Sequence, residues 1–166
     1  LRYTSPNASS KRGVLGTLML GILAGSYRYA HIAGVRGDAV AAQALGLRSM
    51  VSEDTVRRAL KAIPGEAGEA WMRGALLDSV KSALDRPWVL DLDATIKPLY
   101  GHQQGAEIGY NPHKPGRPSH VLHTFWVGNL RLVLDAVLTS GKQHRSGHAI
   151  APLERLLDEL GEHRPA

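Results

Sequence analysis

The chain has 166 residues, 43% hydrophobic and 21% charged, the balance of a soluble globular protein of one medium or two small domains rather than of a disordered one. Its 20 Lys and Arg against 15 Asp and Glu give a formal charge of +5, which favours a polyanionic partner. No cysteine is present, so a disulfide framework and a thiolate zinc site are both excluded, and a reducing, cytoplasmic setting is expected.

Lys11-Arg12 followed by the apolar run Val14 to Gly25 imitates a signal peptide. The run is too short to span a bilayer and continues into a helical pattern, so a buried helix and no membrane association are expected. The sequence given opens on Leu1 rather than Met, which leaves room for an earlier start. A second helix is read over Asp38 to Leu45, closed by Gly46. A third starts at Ser52, which can cap it; Glu53 and Asp54 suit its positive end, Val56, Leu60 and Ile63 recur at helical spacing, and Pro64 stops it. A fourth runs from about Gly65 to Leu84, with Trp71, Ala75, Leu76, Val80, Ala83 and Leu84 as its packing stripe. The second and third helices together suit either a loose helix-turn-helix, with Arg57, Arg58 and Lys61 on phosphates, or plain bundle packing with a solvated basic face.

From residue 87 the pattern changes from helical to strand-like, and a domain boundary is expected there, with residues 1–86 a helical DNA-binding or dimerisation region and 87–166 a second unit. In Trp88 to Thr95, Trp88, Leu90 and Leu92 alternate with Val89, Asp91 and Asp93, so a strand turns the apolar side chains one way and both aspartates the other. Two like charges on one strand face are held together most readily by a cation, and the pair suggests a metal. A Gly- and Pro-rich stretch to Pro118 is read as loop without regular elements. His120–Val127, the turn Gly128-Asn129 and Leu130–Leu138 then form a hairpin, and a final helix from about Gly147 to Leu160 aligns Ile150, Leu153, Leu156, Leu157 and Leu160. The fold class is therefore α+β.

The order strand, long loop, hairpin, helix is that of the first half of a ribonuclease-H-like core. The residues Leu90-Asp-Leu-Asp-Ala-Thr95, Tyr100-Gly-His-Gln-Gln-Gly-Ala106, Gly109-Tyr-Asn-Pro112, Gly116-Arg-Pro-Ser119 and Ser140-Gly-Lys-Gln-His-Arg-Ser-Gly147 resemble the DDE transposases of bacterial insertion sequences. The resemblance covers about residues 88–148 at motif level and the helices before them more loosely. It implies a helical region followed by a truncated ribonuclease-H-like core of three strands and one helix. It also implies Mg²⁺- or Mn²⁺-dependent cleavage and transfer of DNA strands at insertion-sequence ends, a homodimer in the complete enzyme, and a bacterial source.

By the same resemblance the first catalytic and metal-binding aspartate is Asp93, with Asp91 the second choice. The family's second aspartate belongs on a strand after the last helix and its glutamate later still. The expected reading is therefore a transposase fragment that is inactive by itself, and the rival is a non-catalytic DNA-binding remnant of a decayed mobile element. Asp135 lies on the third strand, two strand spacings of ~4.8 Å from the first, too far to share an ion with it. The histidines, His144-x-x-x-His148 among them, lack a third ligand and are not read as a metal site. Lys97, Lys114, Arg117, Lys142 and Arg145, on flexible segments around the strand, are candidate phosphate contacts beside Arg57, Arg58 and Lys61.

Overall fold

The computed structural model describes residues 7–143 and 146–165. They divide into two compact units, one ending at Gly68 and one beginning at Glu69.

The first unit is helical. Its helix α1 spans Lys11–Leu23, α2 Ile32–Arg36, α3 Ala39–Ala44 and α4 Glu53–Lys61, with a 3₁₀ turn at Tyr29–His31 before α2. The caps follow the sequence. Ser10 accepts from Gly13 N–H, Asp38 from Val40 and Ala41 N–H, and Ser52 from Thr55 N–H, each satisfying donors left open in a first helical turn. Past α3 the chain closes at Gly46 as expected, with Gly46 N–H on Gln43 O and Leu47 N–H on Ala42 O. Helix α4 packs on α1 and on the 3₁₀ turn, burying Val56 and Ala59. Thr17, fully buried in α1, accepts from Val51 N–H at 3.0 Å and fixes the approach to α4. The segment from Leu45 to Ser52 keeps α3 and α4 further apart in sequence than the three or four residues usual in a helix-turn-helix. Among the described residues no helix is long and apolar enough to cross a membrane.

Helix α5, Gly65–Val80, leads into the second unit. The expected stripe on α5 is shifted: Leu77, Val80 and Leu84 are buried, while Trp71 is 59% exposed and Ala75 is also open. A stripe more than 100° wide leaves a choice of which edge faces the core, and the sheet selects the later turns.

Four strands follow, β1 Leu90–Pro98, β2 Glu107–Ile108, β3 Pro118–Val127 and β4 Leu132–Ser140, and then helix α6 Ile150–Leu160. The mixed helix and antiparallel sheet is the α+β class expected, with one correction to the strand count. The loop read as irregular carries β2, which pairs Glu107 with Ser119 and Ile108 with Pro118, so the unit has four strands rather than three. Two residues are too few for a period-2 pattern to register. Strand β3 is central: β1 runs antiparallel along one side from Leu90↔Val127 to Pro98↔Ser119, and β4 then β2 occupy the other. The β3–β4 turn is wider than the expected pair Gly128-Asn129, with Arg131 at φ 56° and β4 starting at Leu132. A bulge at Phe125/Trp126 lets Leu134 and Asp135, neighbours in sequence, both be buried. Helix α6 lays Leu156 and Leu160 on the face holding Phe125, Val127 and Leu134, where Leu77, Val80, Leu84 and Trp88 complete the core.

Candidate active site

On β1 the alternation holds in direction: Leu90, Leu92, Ala94 and Ile96 lie on the side of Phe125 and the core, and Asp91, Asp93, Thr95 and Lys97 on the other. Leu92 is nonetheless 46% exposed, because β1 is an edge strand and α6 packs towards β4. Asp91 stands opposite Trp126 and Asp93 opposite Thr124, on an open sheet face where both carboxylates meet solvent. The Thr95 hydroxyl donates to Asp93 Oδ2 at 3.2 Å, and Thr124 Oγ1 donates to the Asp93 carbonyl at 3.5 Å. Asp91 lies so close over Gly128 that a Cβ there would collide with its Oδ2. Glycine at the start of the turn is what lets the Asp91 carboxylate rest against the sheet.

Two oxygen-donor side chains on one face suit a hard divalent cation, and their exposure leaves coordination positions to water or substrate. Among the described residues no three His, Asp or Glu side chains converge into a cage. Asp135 is on the opposite sheet face, paired with Phe125, and its Oδ2 is held by Arg155 Nη2 at 2.6 Å. On α6, Glu154 is exposed and Asp158 binds Arg164 at 2.8 Å.

The long loop is tied down at both ends. Asn111 is buried and accepts from His113 and Lys114 N–H at 3.2 and 3.0 Å, a side-chain turn that shapes Gly109-Tyr-Asn-Pro112. Gly109 packs directly on the Gly141 backbone, and Gly141 in turn on Glu107 O and Ser119 Oγ, so the glycines of two separate motifs meet where neither has room for a Cβ. Lys142 Nζ binds Glu107 Oε1 at 2.7 Å across this contact. That bond, and a second from Ser140, hold the Glu107 carboxyl below the usual glutamate range. His120 and His123 bond through Nε2 to Gln104 O and Gln143 O, so both rings serve the backbone.

The candidate phosphate contacts are distributed unevenly. Arg57 and Arg58 both reach Asp54, and the Arg57 hydrogen bond leads the lowering of its pKa. Lys61, Lys97 and Lys114 are exposed without an ion pair among the described residues. Arg117 stacks on the Tyr100 ring at 4.3 Å, Lys142 is taken by Glu107, and Arg145 lies outside the described residues, as does His144. Neither Glu107 nor its pairing with Lys142 was legible from spacing, since the two are 35 residues apart.

The family model of the transposase DDE domain, group 1, matches residues 4–166. The chain belongs to the DDE transposase family. Enzymes of this family cut and join DNA and use a divalent metal, which accords with an acid pair on an open strand face. No curated protein and no solved structure matches this DDE domain significantly.

Proposed function

We propose that this DDE domain contributes the first metal-binding carboxylates of a DNA strand-transfer centre, with Asp93 as the principal ligand and Asp91 the alternative. The observation that carries the reading is the position of both acids on the open face of β1, in a chain whose family cuts and joins DNA. The sheet order β4-β3-β1, antiparallel and followed by α6, supports a ribonuclease-H-like core. Asp93 is favoured over Asp91 because Thr95 and Thr124 steady its side chain and backbone, while Asp91 is braced on Gly128.

A bound Mg²⁺ or Mn²⁺ would stabilise charge on the phosphoryl oxygens and lower the pKa of a nucleophilic water or hydroxyl. The protein's own part is orientation. Thr95 fixes one Asp93 oxygen and leaves the other to solvent, and Lys97, on the same strand face, lies where a phosphodiester alongside β1 would be neutralised. Two carboxylates on one strand do not hold two ions across an in-line displacement, so the 166-residue polypeptide by itself is proposed to bind metal weakly and leave DNA uncut. The insertion-sequence substrate, the homodimer and the bacterial, cytoplasmic setting belong to the same reading.

Mn²⁺ titration followed by water-proton relaxation tests it. Weak binding should be lost in Asp93→Ala and reduced in Asp91→Ala. Equal loss in both would assign the ion to the pair, and no binding by the native chain would remove the metal reading. Metal-dependent nicking of supercoiled plasmid by the 166-residue chain, abolished in Asp93→Ala, would overturn the inactivity.

A further inference from the structure

Asp38 is the first acidic residue in the sequence, so the helical unit up to Gly37 carries Arg2, Lys11, Arg12, Arg28 and Arg36 with no carboxylate among them. By contrast the basic face of α4, expected to meet phosphates, has its two arginines on Asp54. Lys11 and Arg12 stand at the amino end of α1, whereas Arg28 and Arg36 follow its carboxyl end. There α1 ends in a turn with Gly25 N–H on Ile22 O and Ser26 N–H on Gly21 O, which folds the chain back beside its last turn.

The fold-back opens a groove of about 340 Å³ lined by apolar Leu18, Ile22 and Ile32 and by Tyr27, Arg28 and Tyr29. Tyr27 is 79% exposed, its ring meeting His31 edge-on at 4.5 Å and Arg28 at 5.6 Å. An exposed tyrosine held in place by two neighbours is ready-made for stacking, since little further freedom is lost when a flat ligand lies on it. The groove is at the carboxyl end of α1, where helix dipoles disfavour a phosphate but not a neutral base. Arg28 and Arg36, both exposed, supply positive charge for the backbone of the same strand.

We infer that the Tyr27-Arg28-Tyr29 groove binds unpaired bases of single-stranded DNA by stacking, and that it, rather than the α4 face, is the main nucleic-acid contact of the helical unit. The inference rests on the reading of DNA as substrate and adds to it the strand form and the place. A centre that cuts and joins strands exposes unpaired ends, and a base-stacking shelf holds such an end without reading its sequence.

The test is fluorescence anisotropy of the 166-residue chain with labelled oligothymidylate and with a duplex of equal length. The single strand should bind more tightly. Tyr27→Ala should weaken it about tenfold, Tyr27→Phe should restore it, and Arg57→Ala should change it little. Bromodeoxyuridine in the oligonucleotide should cross-link to Tyr27 or Tyr29, mapped by mass spectrometry. Duplex preference with no effect of Tyr27→Ala would overturn this inference and leave the transposase reading standing. Binding to neither form would overturn both. Self-association lost in Tyr27→Ala, with oligonucleotide affinity unchanged, would assign the groove to a second copy and overturn the inference.

Discussion

Arg155 reaches from α6 to Asp135 on β4, Nη2 to Oδ2 at 2.6 Å, and Asp135 is only 2% exposed while Arg155 keeps a third of its side chain in water. The second Asp135 oxygen accepts from Ala136 N–H at 2.8 Å. The pair therefore has one partner that can return to solvent and one that cannot.

That asymmetry predicts unequal costs. Arg155→Met removes the cation and leaves Asp135 charged in the core, a loss of about 3 kcal/mol. Asp135→Asn keeps a hydrogen-bond acceptor and lets Arg155 swing outward, for about 1 kcal/mol. Urea unfolding midpoints of the two variants check the order; equal costs would mean that water already reaches Asp135.

The Glu107–Lys142 bond predicts a response to acid. Glu107 titrates below its unfolded value in the folded chain, chiefly because of Lys142 and then Ser140. Its contribution is thus fully present above the unfolded glutamate pKa and is lost as pH falls through the folded one. Amide protection around Glu107 and Lys142, taken relative to the intrinsic exchange rate at each pH, should fall below about pH 4, and Lys142→Ala should remove that change in protection. Since both groups are exposed the effect is local, and an unchanged exchange profile in Lys142→Ala would show that the Gly109–Gly141 contact alone holds the loop.

Strand β1 pairs with β3 along one edge, and no described strand pairs with the other. Open edges template association, more so beside an exposed leucine such as Leu92. Sedimentation should show concentration-dependent association that Leu92→Lys reduces. A cooperative monomer at every concentration tested would count against an unpaired edge.

Binding of duplex DNA, where it occurs, should be electrostatic. Affinity should fall with a log–log salt slope of about −0.9 per phosphate neutralised. Lys61→Ala and Lys114→Ala should each lower that slope by about one, for all sequences alike. Arg57→Ala should lower it less, because Asp54 already holds that guanidinium. Slopes that do not move in the lysine variants would separate the basic composition from DNA.

Local chemistry was legible in the sequence. The cap at Ser52, the stop at Gly46 and the alternation that puts Asp91 with Asp93 each depend on side chains within a few residues of one another, and all appear in the fold. The motifs that resemble DDE transposases carried the family for the same reason, since they are contiguous runs. What spacing could not give were meetings across the chain: Gly109 with Gly141, Glu107 with Lys142, Asp91 with Gly128, Arg155 with Asp135. The first three are decided by strand register and the last by how α6 docks on the sheet, and both are set by the summed packing of the unit rather than by any one stretch of sequence. The same summation chose Leu77 and Val80 over Trp71 as the buried side of α5. It also placed the acids on the open face of an edge strand, where their number and their type came from the sequence and their accessibility from the tertiary fold.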